Sequence, residues 1–196
     1  MKEGFLGGTF DPPHLGHLIL AQEALEQFSL EKVYFVPSRN PPHKERFTVT
    51  DLNHRLRMLE LAIEGNSSFQ LADLEPPGSL SYTVDLLERI SSGNTKPCFI
   101  MGMDSLREMH SWKEPSRILE LADVVAGTRL DAVSSSMGID PELLDKVTLF
   151  DFPGVWISSS DIRRRVQEGR SIRYLVPDAV VSYILSGGLY GAEKSH

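Results

Sequence analysis

Gly7-Gly8-Thr9-Phe10-Asp11-Pro12-Pro13-His14-Leu15-Gly16-His17 follows directly on the apolar run Gly4-Phe5-Leu6-Gly7. It leads into a segment in which Leu15, Leu18, Ile19 and Leu25 share one helical face and Glu23 and Glu26 turn to water. The expected order is a short buried strand, a glycine-bearing turn and a helix. Two glycines let the backbone approach an anionic ligand closely, since no Cβ intervenes. The helix start offers unpaired N–H groups and the positive end of its dipole to phosphate. His14 and His17 can face the same way from the first turn, where two imidazoles can donate to phosphate oxygens as charge develops. The plain alternative is a tight turn with two solvent-facing histidines, which the length of the string in its strand–loop–helix setting disfavours. The string is neither GxxxxGK[ST] nor GxGxxG, so it speaks against a P-loop and against a hydride-transfer site.

Further strands are expected at Val33–Val36, Phe69–Ala72, Cys98–Met101, Asp123–Ala126 and Val147–Phe150, apolar runs with little polar alternation, as strands covered on both faces show. Helices are expected between them. In one, Leu52, Leu56, Leu59 and Ile63 form the apolar face and His54, Arg55 and Arg57 point elsewhere. Others cover Ser81–Ile90, Ser160–Val166 and Asp178–Leu185, the last after the helix-starting Pro177. Pro41-Pro42, Pro76-Pro77-Gly78 and the Ser-rich Asp131–Asp140 read as loops. Strands alternating with helices over short links predict an α/β fold, a doubly wound parallel sheet wrapped by helices. Ligands are then expected beyond the carboxyl ends of the strands, with the loops after the first and fourth strands the places to look.

The chain has 196 residues, enough for one domain with a full core, and a helical part is expected at its C-terminal end, about residues 158–196. Its net charge of −7 argues against a broad grip on a nucleic-acid backbone, so any nucleotide should be held by a small local site. The lone cysteine, Cys98, cannot form an internal disulfide, sits in an apolar run and reads as a small buried residue in a reducing compartment. The N-terminal MKEGFLGG is too short an apolar stretch for a signal peptide, and no run of about 18 apolar residues suggests a membrane span. A soluble cytoplasmic protein is the expectation.

A second string, Ile157-Ser158-Ser159-Ser160-Asp161-Ile162-Arg163, places serines at a helix start, where they can cap it or grip a phosphate. Arg163, one turn in, can neutralise the same anion. Alone, the string reads equally as an N-cap followed by a solvated basic face of Arg163, Arg164 and Arg165.

The two strings together resemble the nucleotidyltransferase superfamily with a T/HxGH motif and, within it, the bacterial nicotinate mononucleotide adenylyltransferases. Pro37-Ser38-Arg39-Asn40-Pro41-Pro42-His43-Lys44 is similar to that family's PxxxxPHK loop, Ser81-Tyr82-Thr83-Val84-Asp85 to its SYTxDT segment, and Gly102-Met103-Asp104 to its GxD. Trp112 stands where the family has a tryptophan, and the stretch from Ile172 to Tyr190 follows its C-terminal pattern, so the resemblance spans nearly the whole chain. Three departures stand out: Ser160 replaces a threonine, Arg129-Leu130-Asp131 replaces Arg-Pro-Gly, and Lys113 replaces a second aromatic.

The resemblance implies a Rossmann-like fold and adenylyl transfer from ATP to nicotinate mononucleotide. It implies His14, His17 and Arg163 as the catalytic groups, and Gly8, Thr9, Phe10, Lys44, Gly102, Asp104, Ser159 and Ser160 around ATP. Asp104 is left between fixing a ribose hydroxyl and capping the following helix. Thr83 and Trp112 would hold the mononucleotide, Trp112 by stacking on the pyridine ring; burial of Trp112 as a rim residue is the plainer reading. Magnesium is expected with the ATP phosphates, with no protein-built metal cage. The implied partners are these small molecules, with no nucleic acid and no membrane, and a homo-oligomer possible. The rivals are transfer to nicotinamide mononucleotide or phosphopantetheine, a cytidylyltransferase, an ATP sensor without turnover, and a class I aminoacyl-tRNA synthetase fragment. The last lacks a KMSKS-like string.

Overall fold

The computed structural model describes residues 2–41, 49–91, 96–129 and 138–191. Six strands, β1 (Glu3–Gly8), β2 (Lys32–Pro37), β3 (Phe69–Leu71), β4 (Cys98–Gly102), β5 (Asp123–Arg129) and β6 (Thr148–Phe152), form one sheet in the order β3-β2-β1-β4-β5-β6. Every neighbouring pair is parallel. Parallel neighbours need a crossover, and helices supply it: α1 (Leu15–Gln27), α2 (Leu52–Ile63), α3 (Thr83–Ile90), α4 (Met103–Glu108), α5 (Pro115–Leu121) and α6 (Pro141–Leu144). α7 (Ser159–Gln167) and α8 (Asp178–Gly187) follow the last strand. The chain winds outward from β1 to β3, then returns to β4 on the other side of β1. That reversal leaves a crevice at the carboxyl ends of β1 and β4.

The strands lack polar alternation because both faces of the sheet are covered. Phe5, Phe99, Met101, Val124 and Ala126 project to one side, where Val84, Leu87, Leu106 and Ile118 close over them. Leu6, Val33, Phe35, Ile100 and Val125 project to the other, against Leu20, Ala21 and Ala24 of α1 and Leu59 of α2. A third cluster joins Ile162, Val166, Val180, Val181 and Ile184 of the two C-terminal helices to Met58 and Ala62 of α2. α2 therefore has a core on two sides.

This position explains where the expectation for α2 fails. Leu59 is buried as expected, but the buried face is Arg55, Met58, Leu59 and Ala62 rather than the leucine stripe through Leu52 and Leu56. Helices packed on two sides lose the contrast that a single apolar stripe provides, and Arg55 turns inward with 1% exposure. Pattern reading also did not mark α5 and α6, both short. Of the expected Ser-rich loop, residues 131–137 lie outside the described ones, as does Pro42. Among the described residues no helix is long and apolar enough to cross a membrane.

Cys98 is fully buried in β4. Burial pushes its thiol up to about 11, with a small opposing pull from Lys2, so the reactive thiolate is suppressed at neutral pH. A colourless aromatic disulfide reagent at pH 8 is expected to react with Cys98 at once in denaturant and only at the rate of unfolding in the native protein. Rapid stoichiometric reaction of the native protein would contradict this burial.

Candidate active site

The loop leaving β1 is built by close packing. A Cβ at Gly8 would meet the Phe10 ring at 3.1 Å, so a side chain there would have to push the ring back by a few tenths of an ångström. Phe10 takes a left-handed backbone, φ 50°, and buries its ring edge-on against His17 at 5.0 Å between centroids and tilted against Phe35 at 5.8 Å. Phe10 thus supports the site more than it presents a surface to it. α1 then begins after His14. The His14 backbone N–H donates to His17 Nδ1 at 3.2 Å, and the two imidazoles stack with centroids 3.7 Å apart. With Nδ1 accepting, a neutral His17 carries its proton on Nε2, which becomes a directed donor.

Asp11 fixes the same loop to distant parts of the chain. Its carboxylate accepts from the Tyr190 hydroxyl at 2.7 Å and from the Thr50 amide at 3.1 Å, and its carbonyl accepts from Arg163 Nη1 at 2.7 Å. Burial, then the Asp11 charge, raise the Tyr190 pKa far above its usual range, so the phenol stays a donor. Arg55 holds the loop from beneath. Its guanidinium donates to the carbonyls of Thr9 at 2.9 Å, Ser38 at 2.8 Å, Thr50 at 2.9 Å and Arg39 at 3.4 Å. Burial lowers its pKa from the ordinary value, and the charge of Asp11 opposes that.

At the far wall, Ser158 caps α7 by accepting from the Asp161 amide at 3.1 Å. Ser159 Oγ donates to the Pro12 carbonyl at 2.9 Å, and the Ser158 and Ser160 hydroxyls are 3.1 Å apart. Gly102 ends β4 and starts α4 directly; Asp104, in the first turn, makes no cap and pairs with Arg107 at 3.0 Å.

Two cavities meet here. The larger, about 880 Å³, is lined by Gly8, Thr9, Phe10, His14, His17, Gly102, Asp104, Ser159, Ser160 and Arg163, so every residue expected around ATP except Lys44 borders it. Lys44 lies outside the described residues, as does the side chain of Arg129. The smaller, about 200 Å³, is lined by Thr83 and Trp112, and it shares Gly8 and Thr9 with the larger one. Its rim is held by Lys113, whose ammonium lies 2.8 Å from Asp85 and 4.9 Å above the Tyr82 ring. Glu75 accepts from the Arg39 amide at 2.8 Å and from the Ser81 hydroxyl, which fastens the segment after β2 to the start of α3. Among the described residues, no group of three or more His, Cys, Asp or Glu side chains is placed to hold a metal.

The cytidylyltransferase-like family model matches residues 5–165. A Desulfitobacterium hafniense protein named "Probable nicotinate-nucleotide adenylyltransferase" is 42% identical over 195 residues, covering 95% of this chain and 94% of its own length. A Thermomicrobium roseum protein of the same name is 44% identical over 195 residues, covering 95% and 90%. The chain belongs to the nicotinate-nucleotide adenylyltransferase family. Its fold is also that of a Plasmodium falciparum nicotinic acid mononucleotide adenylyltransferase solved with NaAD, with a TM-score of 0.81 at 23% identity over 98% of this chain and 99% of that one.

Within this family member, pattern reading overlooked Arg55 and Tyr190 as parts of the site. Arg55 did leave a trace: it stands three and four residues before Met58 and Leu59, on their helical face. Tyr190 stood out only as the end of the C-terminal pattern, because its role depends on a contact spanning 179 positions. Arg55→Met should leave buried carbonyls unsatisfied and cost about 3 kcal/mol, a Tm fall of roughly 6–12 °C. Arg55→Lys should rescue little, since a point-like ammonium cannot bridge carbonyls spread around a planar fork. Calorimetry of both variants checks this, and a wild-type Tm in either would refute it.

Proposed function

We propose that the protein transfers the adenylyl group of ATP to the phosphate of nicotinate mononucleotide, releasing pyrophosphate and forming the dinucleotide that leads to NAD. The observation that carries this reading is the meeting of two cavities at Gly8 and Thr9. One is lined by phosphate donors, the other by a helix start and an indole.

A phosphate oxygen of the mononucleotide attacks the α-phosphorus of ATP. The bond from that phosphorus to the bridging oxygen breaks, and pyrophosphate leaves with the electron pair. The nucleophile is already an anion, so no general base is required. The work is to align two anions and offset their repulsion. His17 Nε2–H, His14, Ser160 and Arg163 supply donors and positive charge along the larger cavity, where charge shifts toward the leaving pyrophosphate. Because Arg163 is anchored to the Asp11 carbonyl, the two walls of the cavity are held in a fixed relation.

These donors suit phosphate and not a metal cage. Magnesium would be held by phosphate oxygens and water, and would neutralise charge on the triphosphate. On the acceptor side, α3 starts at Thr83 with no side-chain cap, so its first amides suit a carboxylate on the pyridine ring. Trp112 lines the same cavity and offers a face to the ring.

Pyrophosphate release with ATP and magnesium, compared across nicotinate mononucleotide, nicotinamide mononucleotide and phosphopantetheine, tests the reading. The acid should be preferred, and His17→Ala should lower kcat by about 10²–10³. Turnover with phosphopantetheine alone, or none with any acceptor, would sink it.

A further inference from the structure

We propose that Trp156 is the stacking platform for the adenine ring of ATP. The proposal builds on the reaction proposed above and adds a residue that neither of the two recognised strings contains. Trp156 lines the larger cavity yet is 90% exposed, the highest value among the exposed large apolar side chains of the described residues. A largely exposed indole bordering a ligand cavity, between the half-buried Val155 and Ile157, offers aromatic surface to a ligand that enters.

The loop is built to hold it there. The Ile157 amide donates to the Val155 carbonyl at 2.9 Å, closing a three-residue turn with Trp156 at its apex. Trp156 is not among the residues with positive φ, so this is the unstrained inverse form. On one side of the apex, the Val155 methyl lies over Gly16, 3.5 Å from where a Cβ there would stand. On the other, Ile157 packs into the cluster between α2 and the C-terminal helices. Both flanks are therefore pinned inward, and the apex side chain is directed out.

The placement also suits a nucleotide. Ser159 and Ser160 are three and four residues beyond Trp156, at most about 11–14 Å along extended chain. Phosphates gripped at the serines, His17 and Arg163 would put the sugar and base along the wall toward Trp156. Stacking is open to every base, so Trp156 would add affinity and orientation while discrimination among bases rests on other groups.

The chain has two tryptophans, one bordering each cavity, which lets each be read separately. In a Trp112→Phe protein, ATP should quench the remaining Trp156 fluorescence, and inorganic tripolyphosphate should not. Trp156→Ala should raise the Kd and KM for ATP about tenfold with the KM for nicotinate mononucleotide unmoved, and Trp156→Phe should recover most of the loss. Unchanged ATP affinity in Trp156→Ala, together with fluorescence indifferent to ATP, would overturn the proposal and leave the reaction standing. Equal quenching by tripolyphosphate would also overturn it. Failure of turnover with the ATP-specific quench intact would overturn the reaction and leave the base platform standing.

Discussion

A guanidinium buried beneath three loops organises this molecule. Arg55 reaches the carbonyls of Thr9, Ser38, Arg39 and Thr50, and so joins the loop after β1, the segment after β2 and the approach to α2. Carbonyls at strand ends normally turn to water or to a capping side chain. Here they converge on one cation, and hydrogen bonds to a charged donor are worth more than neutral ones. The negative charge of Asp11 stands close enough to support that cation, while the Asp11 carboxylate is itself held by Tyr190 and Thr50. A buried cation is costly without such partners, so the loops and the arginine depend on each other.

The rigidity that follows is what direct transfer between two anions asks for. No side chain has to take up or release a proton at the reacting phosphate, so what counts is where donors point. His17 is aimed by its bond from the His14 backbone, Phe10 backs the imidazole, and Arg163 is tied to the Asp11 carbonyl. The sheet topology brings these parts together: the reversal between β1 and β4 opens the crevice, and α7 closes it from the far side.

Much of this could be read in the sequence, for physical reasons that differ by element. The strands announced themselves because a sheet covered on both faces needs apolar residues without alternation, and Phe5-Leu6 or Phe99-Ile100 can only serve such a sheet. The residues lining the larger cavity were legible because they lie within short strings: glycines, a helix start, two histidines and a serine cap. What stayed hidden was tertiary. The phase of α2 depends on a second core packed behind it, Asp104 spends its charge on Arg107 instead of capping a helix, and Trp156 matters through a turn that no pattern marks.

The bond from Tyr190 to Asp11 joins positions 179 residues apart, and Asp11 belongs to the first loop of the sheet. A ribosome completes that loop's sequence early, yet the hydroxyl that steadies its carboxylate emerges only 179 residues later. The sheet can assemble strand by strand on local crossovers, whereas the first loop cannot reach its final hydrogen bonding before the residues around 190 arrive. Completion of that loop's hydrogen bonding therefore waits on a residue supplied from 179 positions downstream.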